Sequence, residues 1–258
     1  MGGRSSKSHS KTTPLTEEEK RKMRVAKRGR WEDRHALLCS AAYEGDRRVV
    51  AFLLNKHPQI LYGENSEALS ALHLAADAGH LDVVSLLLKH PGIDVSKTWD
   101  GWTALHTAAA AGHADVVALL LNHASAMLNS NINKGGNRGL TALHLAVLEG
   151  HADVVALLLK CPEVDVNERD DRGETALHIA CCPLGSLNPN IMRMLLTHPA
   201  IDPNVRSPDY GHTPIMQLLL MDDNIDIKRD CLRAMVESNT VDLEVKDARG
   251  LGLVPMAW

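Results

Sequence analysis

The chain has 258 residues, 45 % apolar and 23 % charged, with a formal net charge of −4, a globular balance that excludes a wholly disordered polyelectrolyte. With only four Trp, three Tyr and one Phe, a core must be built from Leu, Ala and Val, which favours packed helices over an aromatic-rich β-sandwich. No stretch reaches the ~18 to 20 uninterrupted apolar residues of a membrane span, and a polar Ser/Lys run stands where a signal peptide needs an apolar segment.

The first predicted element is a basic leader over residues 1–33. Residues 1–34 hold eleven Lys/Arg against five Asp/Glu, a net +6, so the remaining 224 carry −10. Such asymmetry assigns the leader to an anionic surface and the body to something else. Met1-Gly2-Gly3-Arg4-Ser5-Ser6 resembles an N-myristoylation signal, with Gly2 as the acceptor and Lys7 directly after it. One myristoyl chain binds membranes only marginally, and a basic run is a suitable second signal. That run follows at once. Thr16 to Glu19 forms a capping box, and Lys20, Arg21, Lys22, Arg24, Lys27, Arg28 and Arg30 succeed it, which predicts a helix whose charges complement its dipole. Near an anionic leaflet each such residue contributes about 1 kcal/mol. The alternatives are a nuclear localisation element or a solvated helix. Nucleic-acid binding is disfavoured, since the leader offers only Trp31 for stacking and the acidic body repels phosphate.

From residue 34 onward the chain repeats. Ser70-Ala-Leu-His-Leu-Ala-Ala76 recurs at Thr103–Ala109, Thr141–Val147 and Thr175–Cys181, with leucine steps of 33, 38 and 34 residues. Three of the four are followed by Gly-His (Gly79-His80, Gly112-His113, Gly150-His151), then by Asp-Val-Val and a leucine run. The Ser or Thr is an N-cap, the Leu/Ala spacing predicts a helix too short to stand alone, and the glycine ends it in a left-handed turn. A second, more apolar helix follows, and connectors such as Ile93–Gly101 and Val164–Gly173 have the chemistry of hairpin-like turns.

These residues closely resemble the ankyrin repeat, whose T-P-L-H-x-A signature stands here as Thr-Ala-Leu-His-x-Ala. The resemblance covers residues 35–258 and implies an all-α solenoid of about six stacked helix-turn-helix units. Leu38-Cys39-Ser40-Ala41-Ala42 with Gly45 forms a degenerate first repeat lacking the histidine. Thr213-Pro214-Ile215 opens a sixth, with Met216 in the histidine slot. Inserts are expected at Asn129–Gly139, Pro183–Pro189 and Met221–Ile227. Gly252–Trp258 reads as the start of a seventh repeat, which keeps alive the regulatory segment of a larger enzyme or channel.

Catalysis has no candidate. The resemblance implies that His73, His106, His144 and His178, and His80, His113 and His151, are structural, bonding the backbone of neighbouring units. His178, Cys181 and Cys182 have ligand spacing, but Pro183 follows and no fourth ligand is evident. Five cysteines without C-x-x-C spacing read as reduced apolar residues. There is no H-E-x-x-H, G-x-S-x-G, phosphate loop or dinucleotide fingerprint, so neither a cofactor nor a small-molecule substrate is expected.

Stacked repeats leave a concave face of turn tips and first helices. Trp99 is expected exposed at one tip and Tyr210 at another, while Trp102, Leu140, Glu174 and His212 share the variable position before the capping Thr. Trp102 packing between adjacent turns is the equal alternative. The sequence therefore predicts a non-catalytic adaptor that holds a protein partner at a cytoplasmic membrane face. The alternative is a soluble cytoplasmic or nuclear regulator that masks its partner.

Overall fold

The computed structural model describes residues 14–62, 70–91, 93–126, 132–182, 187–209, 211–220, 225–244, 246 and 250. Among them lie thirteen α-helices and no strand. Twelve of the helices form six antiparallel pairs: α2 (Trp31–Tyr43) with α3 (Arg47–Lys56), α4 (Ala71–Asp77) with α5 (Leu81–Leu88), α6 (Ala104–Ala111) with α7 (Ala114–Ala126), α8 (Ala142–Leu148) with α9 (Ala152–Leu159), α10 (Ala176–Ala180) with α11 (Pro189–Leu196), and α12 (Pro214–Leu219) with α13 (Ile225–Glu237). The thirteenth, α1 (Glu17–Arg28), precedes them. Among the described residues first helices stack on first helices and second on second, so each pair packs chiefly on its neighbours.

Burial explains why helices of seven or eight residues persist. An isolated helix of that length is unstable in water, and its stability has to come from packing. In α4 and α6 the small, fully buried Ala75, Ala76, Ala108 and Ala109 let consecutive first helices approach closely. The second helices supply bulk through Val83, Val84, Leu87, Val116, Val117, Val154, Val155 and Leu158, all inaccessible or nearly so. The fifth unit departs from this length. Its first helix, α10, stops at Ala180, as expected when Pro183 lies three residues downstream and cannot continue a helix.

The first four helix pairs each turn on a left-handed glycine. Gly45, Gly79, Gly112 and Gly150 have φ between 72° and 78°, a region that L-residues with a Cβ rarely occupy. The connectors are hairpin-like as expected. Trp99 and Trp102 exchange backbone hydrogen bonds of 2.8 and 2.9 Å across Asp100 and Gly101, both at positive φ, the signature of a type I′ turn.

The described part of the leader contains one complete helix, α1. The anticipated boundary at residues 33 and 34 falls inside α2, and α1 is packed on α2 and α3. Its capping box forms as predicted, with Glu19 N–H donating to Thr16 Oγ1 (3.1 Å) and Thr16 N–H donating to Glu19 Oε2 (2.6 Å). Ala26 is completely buried at the contact. Its carbonyl accepts from Arg34 Nε (2.9 Å) and lies 3.1 Å from His57 Nε2, while Arg48 pairs with Glu19 at 3.3 Å. The turn from α1 into α2 is tight, since a Cβ on Gly29 would lie 2.7 Å from the Val25 carbonyl oxygen and 3.1 Å from Asp33 Cβ.

Candidate binding surface

Two sets of histidines join the units. In the first set, the backbone N–H of Thr103, Thr141 and Thr175 donates to Nδ1 of His106, His144 and His178, at 3.1 Å each. An accepting Nδ1 fixes the neutral tautomer with its proton on Nε2. That Nε2 donates to a carbonyl oxygen of the next unit: His106 to Lys134 (2.8 Å), His144 to Glu174 (3.2 Å) and His178 to His212 (3.3 Å). His73 makes the same reach to Trp102 at 2.9 Å. Burial disfavours imidazolium here, lowering the pKa of His73 and His144 below the usual value and that of His106 and His178 to about 4. In the sixth unit Met216 replaces the histidine, and Thr213 Oγ1 is buried without a hydrogen-bond partner.

In the second set, His80, His113 and His151 reach backward through Nε2 to the carbonyls of Tyr43 (2.8 Å), Asp77 (2.8 Å) and Ala110 (3.0 Å). The imidazole lies on the turn glycine of the preceding unit, so a Cβ on Gly112 would sit 2.7 Å from His151 Cε1. A third ladder went unnoticed in the sequence. Asn133, Asn167 and Asn204 each donate from Nδ2 to a carbonyl of the following connector, those of Glu163 (2.8 Å), Ala200 (2.6 Å) and Thr240 (2.9 Å). Each also accepts through Oδ1 from the N–H of Asp165, Asp202 or Asp242. The signal was the recurring Val164-Asp-Val-Asn167 and Ile201-Asp-Pro-Asn204.

Three of the cysteines are chemically quiet. Burial pushes the thiols of Cys39 and Cys231 up to about 11 and that of Cys181 well above its usual value, which suppresses the reactive thiolate. His178 has its two ring nitrogens engaged by Thr175 and His212, and among the described residues no His/Cys/Asp/Glu group is arranged to hold a metal.

The residues proposed for partner contact fall into two kinds. Trp99 stands 41 % exposed at its tip. Trp102 is half-buried and packs on the next connector, where a Cβ on Gly136 would meet its Cδ1 at 2.8 Å; its carbonyl serves His73. Leu140 is half-buried against the core. The Glu174 carboxylate is 13 % exposed and pairs with Arg172 Nη2 at 2.6 Å, while Gln217 Nε2 donates to its other oxygen at 3.1 Å. His212 is half-buried and lends its carbonyl to His178 and to Ser207 N–H. Tyr210 lies outside the described residues. The variable position before the capping Thr thus serves the joints between units as much as the surface.

The basic residues divide similarly. Lys20, Arg21, Arg24, Lys27, Arg28 and Arg30 are exposed; Lys20 pairs with Glu17 at 2.6 Å, and Lys27 lies 5.8 Å above the Phe52 ring. Lys22 departs from the expected role of surface contact. Its side chain is only 15 % exposed and bound to Glu44, with Asp46 and Glu18 at 3.6 and 3.8 Å, so its charge is spent on docking α1. Gly2 and Lys7 lie outside the described residues.

Between the fourth and fifth units the first helices and turn tips enclose a cleft of about 250 Å³. Leu148, Ile179 and Cys182 supply apolar lining, and Arg138, Glu149, Asp170 and Arg172 line it as well. Asp170, almost fully buried, accepts from the N–H groups of Arg172 (2.9 Å) and Glu174 (2.8 Å) and meets Arg172 Nε at 3.3 Å, so Arg172 is held by two carboxylates. Arg138 has φ 62°, an uncommon conformation for a non-glycine residue. Its carbonyl accepts from Asp171 N–H at 3.0 Å.

A family model described as ankyrin repeats matches residues 37–131, 90–170 and 124–209. The matches span more than half of the chain, which therefore belongs to the ankyrin-repeat family. Repeats of this family are protein–protein interaction modules. No curated relative matches the chain.

Proposed function

We propose that this protein is a non-catalytic adaptor that grips a protein partner on its concave face and is held at a cytoplasmic membrane surface through its N-terminal segment. The observation that supports the tether is the outer face of α1. Lys20, Arg21, Arg24, Lys27, Arg28 and Arg30 all face solvent at the outer end of the stack, next to Trp31 at 40 % exposure. An aromatic ring beside a cluster of cations suits an anionic lipid headgroup layer. Gly2 as a myristoylation site would supply the second of the two signals that stable anchoring takes. Among the described residues α1 packs on α2 and α3, at the first unit of the stack.

The test is to express the wild type, Gly2→Ala and the triple variant Arg21→Glu/Arg24→Glu/Arg28→Glu in eukaryotic cells, measure intact masses and fractionate membrane from cytosol. One added myristoyl mass, with membrane retention lost in both variants, supports the tethered adaptor. An unmodified N-terminus with all three proteins soluble or nuclear refutes it and favours the masking regulator.

A further inference from the structure

We propose that the cleft between the fourth and fifth repeats docks a partner segment that inserts one aliphatic side chain between an acidic residue and a basic residue. This rests on the reading of the concave face as the protein-binding surface and names the chemistry that surface selects.

Size comes first. A cleft of about 250 Å³ falls below the roughly 300–1,000 Å³ of small-molecule and cofactor sites, yet takes a branched aliphatic side chain. Its apolar lining is specific to this part of the stack. The position seven residues after the capping Ser or Thr is Asp77 and Ala110 in the second and third repeats, but Leu148, Cys182 and Leu220 in the fourth, fifth and sixth. Leu220 is 65 % exposed, so the apolar line runs out of the cleft onto the next unit, as an extended peptide requires.

Charge then orients the occupant. Arg138 is exposed on the turn-tip rim and Glu149 on the helix rim, and neither has an ion-pair partner among the described residues. Arg172 lines the same cleft but is already committed to Asp170 and Glu174. A segment with its acid toward Arg138 and its base toward Glu149 therefore gains both pairs, and the reversed segment meets like charges on both rims.

The test uses the full chain as bait for a phage-displayed library of short random peptides, with the enriched consensus synthesised and titrated calorimetrically. The expected consensus is an aliphatic residue flanked by opposite charges. Arg138→Glu and Glu149→Lys are surface substitutions, and each should weaken that peptide about three- to tenfold. A charge-swapped peptide should recover its binding on the double variant. Cys182→Arg, checked for folding by its thermal melt, should abolish binding. Peptides that bind every variant as tightly as wild type would overturn the inference while leaving protein binding elsewhere on the concave face intact. No enrichment over bare resin would also overturn it, and the partner-binding reading would then be tested separately by crosslinking to Trp99 in cells.

Discussion

Acidification should unzip the joints between repeats before it touches the carboxylates. His106 and His178 are 1 % and 0 % exposed, each with an Nδ1 that accepts and an Nε2 that donates. A proton added to Nδ1 confronts the Thr N–H it was accepting from. Their pKa is lowered from 6.5 to about 4 by burial, so the unfolded chain binds protons that the folded chain refuses. A depressed folded pKa gives stability that is full above the unfolded value and is lost as pH falls toward the folded one. From pH 7 to 5 linkage costs about 2 kcal/mol apiece, about 4 kcal/mol for the pair. His73 and His144 add with the same sign. Against a typical stability of about 5–15 kcal/mol this is a large share. Urea unfolding followed by circular dichroism at pH 7, 6 and 5 should show the midpoint falling steadily, with His106→Gln removing part of the slope. Carboxylates with lowered pKa, such as Glu19 and Glu44, titrate below this window. Equal midpoints at pH 7 and 5 would refute the reasoning.

Other substitutions probe the remaining joints. Thr141→Val removes a hydroxyl bonded to His144 Nδ1 at 2.8 Å and should cost about 1–2 kcal/mol, whereas Thr213→Val deletes a hydroxyl without a partner and should be neutral or stabilising; paired denaturant melts distinguish them. Gly112→Ala must adopt φ 77° and press on the His151 ring, so it should cost about 2–3 kcal/mol, against about 1 kcal/mol for Gly250→Ala, where φ is 80° but nothing lies within 4 Å. Asn167→Ala breaks bonds to Ala200 and Asp202 together and should cost about 1–3 kcal/mol in thermal unfolding, with Asn190→Ala, at an exposed helix start, costing little.

Much of this architecture was legible because each unit writes its own signals in a fixed order. Thr, His and Gly mark a cap, a reach and a turn, and all three act within a few residues of their positions or on the adjacent copy. The docking of α1 was harder to read. It depends on Ala26 and Gly29 being small and on Lys22 finding Glu44 and Asp46, contacts that no local period announces. The asparagine ladder hid in connectors of unequal sequence, and it lacks a rung where Ser96 stands, since that short side chain bonds only Asp94 nearby. The candidate surface suffered from a different ambiguity. Trp102 and Glu174 occupy variable positions, yet their carbonyls receive the histidines of the preceding unit, so sequence variation there does not separate partner contact from repeat cohesion.

The forward histidine bonds are longer toward the later units, 2.9 and 2.8 Å at His73 and His106 against 3.2 Å at His144 and 3.3 Å at His178, the last of which joins the fifth unit to the sixth. In a nearest-neighbour array the weakest coupling decides where opening starts. Thermal agitation should accordingly peel the α12–α13 unit from the fifth unit before the earlier joints open, while α1 clamps the first unit. Because Leu220 belongs to the peeling unit and Leu148 and Cys182 do not, a bound segment that spans all three would act as a splint, and its grip would register as slowed amide exchange in α13, well away from the residues it touches.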